Sequence, residues 1–214
     1  MKKKIFIVAA VIISSHLYAQ DSTKKTLDEV VVTATKFPIK QSQTGKVLTV
    51  ITSAQLQRSA GKDLSQLLNE QAGLVINGAN SNTGKDKSVF LRGASSKYTL
   101  ILLDGIPVTD PSGAGGAFDL RMLSIDQIER IEILKGSQST LYGSDAIAGV
   151  INIITKKSGD KKIGAAGTAS YGSYNTFKGN AVVNGSNKKL DYNIGYTYFN
   201  TDGISEATDK TGAG

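Results

Sequence analysis

Five carboxylates, Asp104, Asp119, Asp126, Glu129 and Glu132, share the middle of the chain with three guanidinium groups, Arg92, Arg121 and Arg130. Paired carboxylates are what glycoside-type hydrolysis needs, but acids interleaved with arginines are explained better as structural ion pairs, and Asp119 and Asp126 also suit caps of helices or turns. Little else offers catalysis. The one histidine, His16, falls in an amino-terminal leader, and the chain has no cysteine and no tryptophan. A Ser-His-Asp triad, a thiol nucleophile and a His or Cys zinc site therefore cannot be assembled after that leader. Without cysteine there is no disulfide framework either, so stability must come from a core or a partner.

Two stretches are rich in glycine and small polar residues: NGANSNTGKDK from Asn77 to Lys87 and DPSGAGGA from Asp110 to Ala117. Gly84-Lys85 resembles the end of a phosphate-binding loop, yet Gly78 stands one residue too early and Asp86 replaces the Ser or Thr that would hold Mg²⁺. The run from Gly113 to Phe118 likewise lacks the last glycine of a dinucleotide fingerprint. Their accessible backbone, with Asn80, Ser81, Asn82, Ser112, Gly113, Gly115 and Gly116, suits contact with a polar, irregular ligand, and equally suits plain surface turns. Asn200-Thr-Asp202-Gly203 has the character of the middle of a calcium loop, with Glu206 and Asp209 following, although Tyr198 occupies the place of the leading Asp of an EF-hand.

The elements that must position these groups fall into four parts. Lys2, Lys3 and Lys4 precede an apolar run from Ile5 to Ile13 that is too short to span a bilayer, and Ala19 suits cleavage; residues 1–19 read as a secretory signal. Their removal takes three lysines and no acid, lowering the net charge from +7 to +4, too mild to call for a nucleic-acid partner. Residues 20–45 are polar and charged, with one apolar knot at 27–34 whose valines favour a strand but have no local partner strand; it reads as a sticky patch on a flexible tail, or as an edge strand of the next domain.

Residues 46–157 predict a compact α+β domain. Val47–Ile51 reads as a strand, Ser53 as a helix start and Asp63 as the cap of LSQLLNEQ, with Gly73 as its stop. Strands are expected over 74–76, 89–92 and 98–103, the last turned by Asp104-Gly105, and a short helix over 120–128. IERIEILKGSQSTLYGSDAIAGVINIITKK then sets two apolar strands around small residues. After Lys161 the period becomes strictly two: Phe177, Gly179, Ala181 and Val183 share a face, as do Leu190, Tyr192, Ile194, Tyr196 and Tyr198. Half-apolar strands of this length suit a tilted transmembrane β-sheet.

That thirty-residue run, with SVFLRGASSKYTLILLDGIPV before it, DEVVVTATKF near the start and YGSYNTF after it, closely resembles the plug region of TonB-dependent outer-membrane receptors, most of all the cobalamin-receptor branch. The resemblance implies an α+β plug domain followed by the first antiparallel strands (162–214) of a transmembrane β-barrel, incomplete in this chain. It makes Asp28, Glu29, Val30, Val31, Val32, Thr33 and Ala34 a TonB box, the peptide gripped by the energy-coupling protein TonB. It aims the two glycine-rich loops at the substrate, and makes Arg92, Glu129, Arg130 and Glu132 lock residues, some of them pairing with the barrel wall. It also suggests calcium at Asp202, Glu206 and Asp209, completed by later loops. The implied protein is a non-enzymatic receptor in the outer membrane of a Gram-negative bacterium, surrounded by lipid, taking up cobalamin or a siderophore-like chelate, its plug and amino terminus facing the periplasm. Three strands cannot close a barrel around a plug, and an open edge cannot lie in lipid. The chain is therefore expected to be the amino-terminal piece of a longer transporter; the rival is a free-standing periplasmic binding or signalling module whose last strands form a soluble sheet.

Overall fold

The computed structural model describes residues 30–59, 61–82, 84–112, 116–157, 163–187 and 190–203. The signal sequence, Asp28, Glu29, Gly113, Gly115, Glu206 and Asp209 lie outside them. A short antiparallel pair, β1 (Val30–Val31) and β2 (Ile39–Lys40), opens the described chain. A five-stranded mixed sheet follows, built from β3 (Val47–Ile51), β6 (Thr99–Leu103), β7 (Ile106–Pro107), β8 (Ile128–Lys135) and β9 (Gly149–Thr155) in the spatial order β3-β8-β9-β6-β7. All its pairings are antiparallel except β6 with β9. β4 (Leu74–Asn77) and β5 (Ser88–Leu91) form a separate hairpin whose connection carries the first glycine-rich loop.

Two caps set the helices. Thr52 accepts the Gln55 N–H while Gln55 Oε1 accepts the Thr52 N–H, opening the helix Ser53–Arg58. Asp63 holds the same position ahead of the helix Leu64–Asn69, where Leu64, Leu67 and Leu68 are buried. The expected helix over 120–128 is instead two 3₁₀ turns, Leu120–Met122 and Ile125–Gln127. Asp119 Oδ1 accepts the Arg121 N–H, and Ser124 is extended (φ −95°, ψ 135°), so the chain starts a fresh turn rather than continuing the first.

The sheet separates two sets of apolar residues. Ile131, Ile133, Ile151, Ile153 and Ile101 belong to the larger core with both helices and the β4–β5 hairpin. Leu134, Val150, Leu100 and Leu102 form a smaller cluster, and because side chains alternate along a strand, Glu132 and Asn152 fall on that second face. Beyond the sheet, β10 (Gly164–Gly172), β11 (Thr176–Asn187) and β12 (Leu190–Asn200) make an antiparallel meander. The dyad pattern shows in β11, where Phe177, Ala181 and Val183 are exposed while Asn180 and Val182 are buried; β12 exposes Leu190, Ile194, Tyr196 and Tyr198, and toward its end Thr197 and Phe199 of the other face as well. Asp63 with Lys178 (3.5 Å) and Lys156 O with Asn193 Nδ2 (3.2 Å) join this sheet to the rest. No described helix is long and apolar enough to cross a membrane.

Candidate functional site

Glu132 is fully buried, and its carboxylate is filled from both sides. Oε2 accepts the Val32 N–H (3.0 Å), the Thr33 N–H (2.8 Å) and the Thr33 hydroxyl (2.6 Å), while Oε1 accepts Arg130 Nε–H (2.9 Å). Hydrogen bonds to a charged acceptor contribute roughly 1.5–3 kcal/mol each. The rest of the segment is held from other elements. Tyr142 donates its hydroxyl to Thr33 O (2.9 Å), Asn152 donates Nδ2–H to Thr33 Oγ1 (3.0 Å), and Lys46 Nζ donates to both Ala34 O and Gln138 Oε1 (2.8 Å each). Val31, Thr33 and Ala34 are buried as a result.

This arrangement corrects two expectations about residues 30–34. Val30 and Val31 do have a local partner strand, Ile39–Lys40, and the segment lies docked rather than free. The turn that allows this is closed by Lys36 N–H on Val32 O (2.8 Å), with Lys36 in the left-handed region (φ 64°) and its ammonium 4.9 Å from the Tyr142 ring centre. Burial pushes the Tyr142 phenol above its ordinary pKa, and the Glu132 charge adds to the effect.

The contacts of the expected lock residues lie within the plug-like part. Arg130 pairs with Glu129 (3.8 Å) and with Glu132 on its own strand, Glu132 faces Val32 and Thr33, and Arg92 forms no ion pair among the described residues. A cavity of about 600 Å³ opens beside the docked segment, reached by Val32, Lys36, Arg130, Tyr142 and Asn152. Asn152, Tyr142, Lys46 and Gln138 were not singled out from sequence. Asn152 carried a signal nonetheless, since an amide amid Val150–Ile154 must find partners when buried.

The glycine-rich loops serve separate cavities. Asn80, Ser81 and Asn82 line one of about 360 Å³ against Tyr171, Tyr174, Phe199 and Thr201 of the meander. Gly116 lines another, of about 510 Å³, with residues 96–101 and Ser144. Ser112 hydrogen-bonds Asp110 Oδ1 through its N–H (2.9 Å) and hydroxyl (2.6 Å), a local turn. The first loop is stapled by the buried Lys87, whose ammonium donates to Gly78 O, Ser81 Oγ and Asn82 O. Arg121 clamps its far side by pairing with Asp86 (2.6 Å) and Asp119 (2.5 Å). At Asp119 burial opposes ionisation, but the bonds from Arg121 outweigh it and hold the carboxyl below its ordinary pKa. Of the calcium set only Asp202 is described, and its Oδ2 accepts Asn175 Nδ2–H (2.9 Å). One such carboxylate does not make the six to eight oxygen ligands calcium takes, and the described residues hold no metal-ligand cluster.

Comparison with known proteins agrees with this architecture. The family model described as TonB-dependent Receptor Plug Domain matches residues 40–150, more than half of the chain. The Vitamin B12 transporter BtuB of Vibrio cholerae serotype O1 is 39% identical over 142 residues, which are 66% of this chain and 22% of that protein. Among solved structures, a mutant of the ferric enterobactin receptor PfeA from Pseudomonas aeruginosa aligns with a TM-score of 0.57 at 27% identity, covering 80% of this chain and 26% of that one. The siderophore receptor PirA from Acinetobacter baumannii aligns at 0.53 and 28% identity, covering 71% and 24%. The chain thus spans about a fifth to a quarter of these relatives, all of them transporters or receptors rather than enzymes by their names. It belongs to the TonB-dependent receptor plug family, with a plug domain followed by three antiparallel strands like those of the family's barrels.

Proposed function

We propose that this chain is the plug-bearing part of an outer-membrane receptor that takes up cobalamin or a siderophore-like chelate without covalent chemistry, driven by TonB and the proton-motive force. The observation that carries the reading is the docked segment Val30–Ala34, whose contacts are mostly hydrogen bonds and so can be broken by pulling. Substrate binding at the loops shifts the population toward an undocked segment. TonB then adds a strand to the freed valines and pulls, and part of the plug rearranges to let substrate into the periplasm. The exposed apolar face of β12 suits lipid, which favours a barrel wall over a soluble module. Calcium at Asp202, Glu206 and Asp209 remains a secondary proposal, dependent on ligands from later loops. The experiment is Val31→Pro in the native gene product, since Pro removes a strand N–H and fixes φ. Uptake should be lost with ligand binding retained; unimpaired uptake would sink the reading.

A further inference from the structure

One side chain on β9 joins the docked segment to the sheet, and its amide has a single allowed orientation. The Thr33 hydroxyl gives its proton to Glu132 Oε2 (2.6 Å), which leaves Thr33 Oγ1 only lone pairs to offer. Asn152 must therefore present Nδ2–H to that oxygen (3.0 Å), and its Oδ1 then accepts the Gly105 N–H (3.1 Å). Reversed, the amide would set oxygen against oxygen and N–H against N–H. Gly105 closes the β6–β7 hairpin, which leads directly into the second glycine-rich loop. A polar chain with fixed directions thus runs from Gly105 through Asn152 and Thr33 to Glu132 and Arg130.

We propose that Asn152 is a positioning residue that anchors Thr33, and with it the docked register of Val30–Ala34, to the Asp104–Gly105 hairpin. The proposal rests on reading Val30–Ala34 as the energy-coupling box. The charged and titratable groups facing this region are Glu129, Arg130 and Glu132 of β8, Lys36 after the segment, Lys46 on Ala34 O, Tyr142, Asp104 of the hairpin turn and Lys157 beyond β9. All are kept in the variants below.

The test uses a cysteine-free form of the native gene product in outer membranes, with Val31→Cys as a buried reporter and Phe37→Cys as an exposed reference for a hydrophilic maleimide. Ionised aspartate at position 152 has no proton for Thr33 and faces Glu132, whereas the neutral acid again has one donor and one acceptor. Burial and Glu132 both raise the pKa of that aspartate, so in the Asn152→Asp background labelling of Val31→Cys relative to Phe37→Cys should stay near the parent at about pH 5 and rise about tenfold as the pH climbs to about 9. Asn152→Leu should label fast at both. No rise by about pH 9, or a rise that acid does not reverse, overturns the proposal, and the Asp variant decides the matter even if Leu fails to fold. Failure of the box reading is separate: uptake would survive Val31→Pro while labelling still reported docking.

Discussion

Thr33 and Glu132 lie 99 residues apart in sequence, yet the Glu132 carboxylate accepts both the Thr33 N–H at 2.8 Å and the Thr33 hydroxyl at 2.6 Å. Glu132→Gln replaces one acceptor oxygen by an NH₂ group and removes the charge from bonds that contribute roughly 1.5–3 kcal/mol each. The docked segment should loosen, so maleimide labelling of a Val31→Cys reporter should rise about tenfold or more, and the plug should melt at a lower temperature because Arg130 loses its buried charged partner. Unchanged labelling would mean that Glu132 is not what holds the segment.

Tyr142 gives this docking an alkaline limit. Its folded pKa lies above the ordinary phenol value of 10.0 because of burial and the nearby Glu132 charge. A raised pKa means that its contribution is complete below about pH 10 and is lost as the pH climbs through the higher folded value, when the phenolate can no longer donate to Thr33 O. An ultraviolet titration should find one late-ionising tyrosine that Tyr142→Phe removes. If the same late tyrosine persists in that variant, the assignment fails.

Two glycines should differ in how well they tolerate alanine. A Cβ on Gly149 would lie 2.3 Å from Leu134 O, a backbone atom in the neighbouring strand, whereas one on Gly195 would meet Gln127 Nε2 at 2.5 Å, the free end of a flexible side chain. Gly149→Ala is expected to destabilise by about 1–3 kcal/mol or more, and Gly195→Ala by well under that. Denaturant melts of the two variants would decide, and equal costs would refute the contrast.

Lys87 should control the order of the first glycine-rich loop. Its buried ammonium reaches Gly78 O, Ser81 Oγ and Asn82 O, so Lys87→Met leaves three acceptors without that donor. Hydrogen exchange across 78–82 is expected to speed up about tenfold, as the loss of a charged hydrogen bond implies, with the β4–β5 hairpin unaffected. Equal protection in both proteins would assign the loop's order to Arg121 instead.

The native gene product should fractionate with the outer membrane as a species several times larger than 22.6 kDa, detected with an antibody against residues 63–156. A stable soluble product of about that size in the periplasm would favour the binding-module reading.

Local patterns in the sequence determined much of the scaffold. The period of two in β11 sorted exposed from buried positions, Asp63 marked a helix start, and Asp104-Gly105 marked a tight hairpin, since each depends on neighbours only a few residues away. The sequence also named Glu132 and the valines of the box, but as separate features. Only the tertiary structure brought them together and set the two glycine-rich loops on different cavities. The reason lies in the sheet: β8 and β9 run antiparallel with Glu132 opposite Asn152, and while Arg130 of β8 serves one Glu132 oxygen, the other oxygen and the Asn152 amide need partners that these strands do not supply. Thr33 supplies them from about a hundred residues away, a distance at which no local propensity acts.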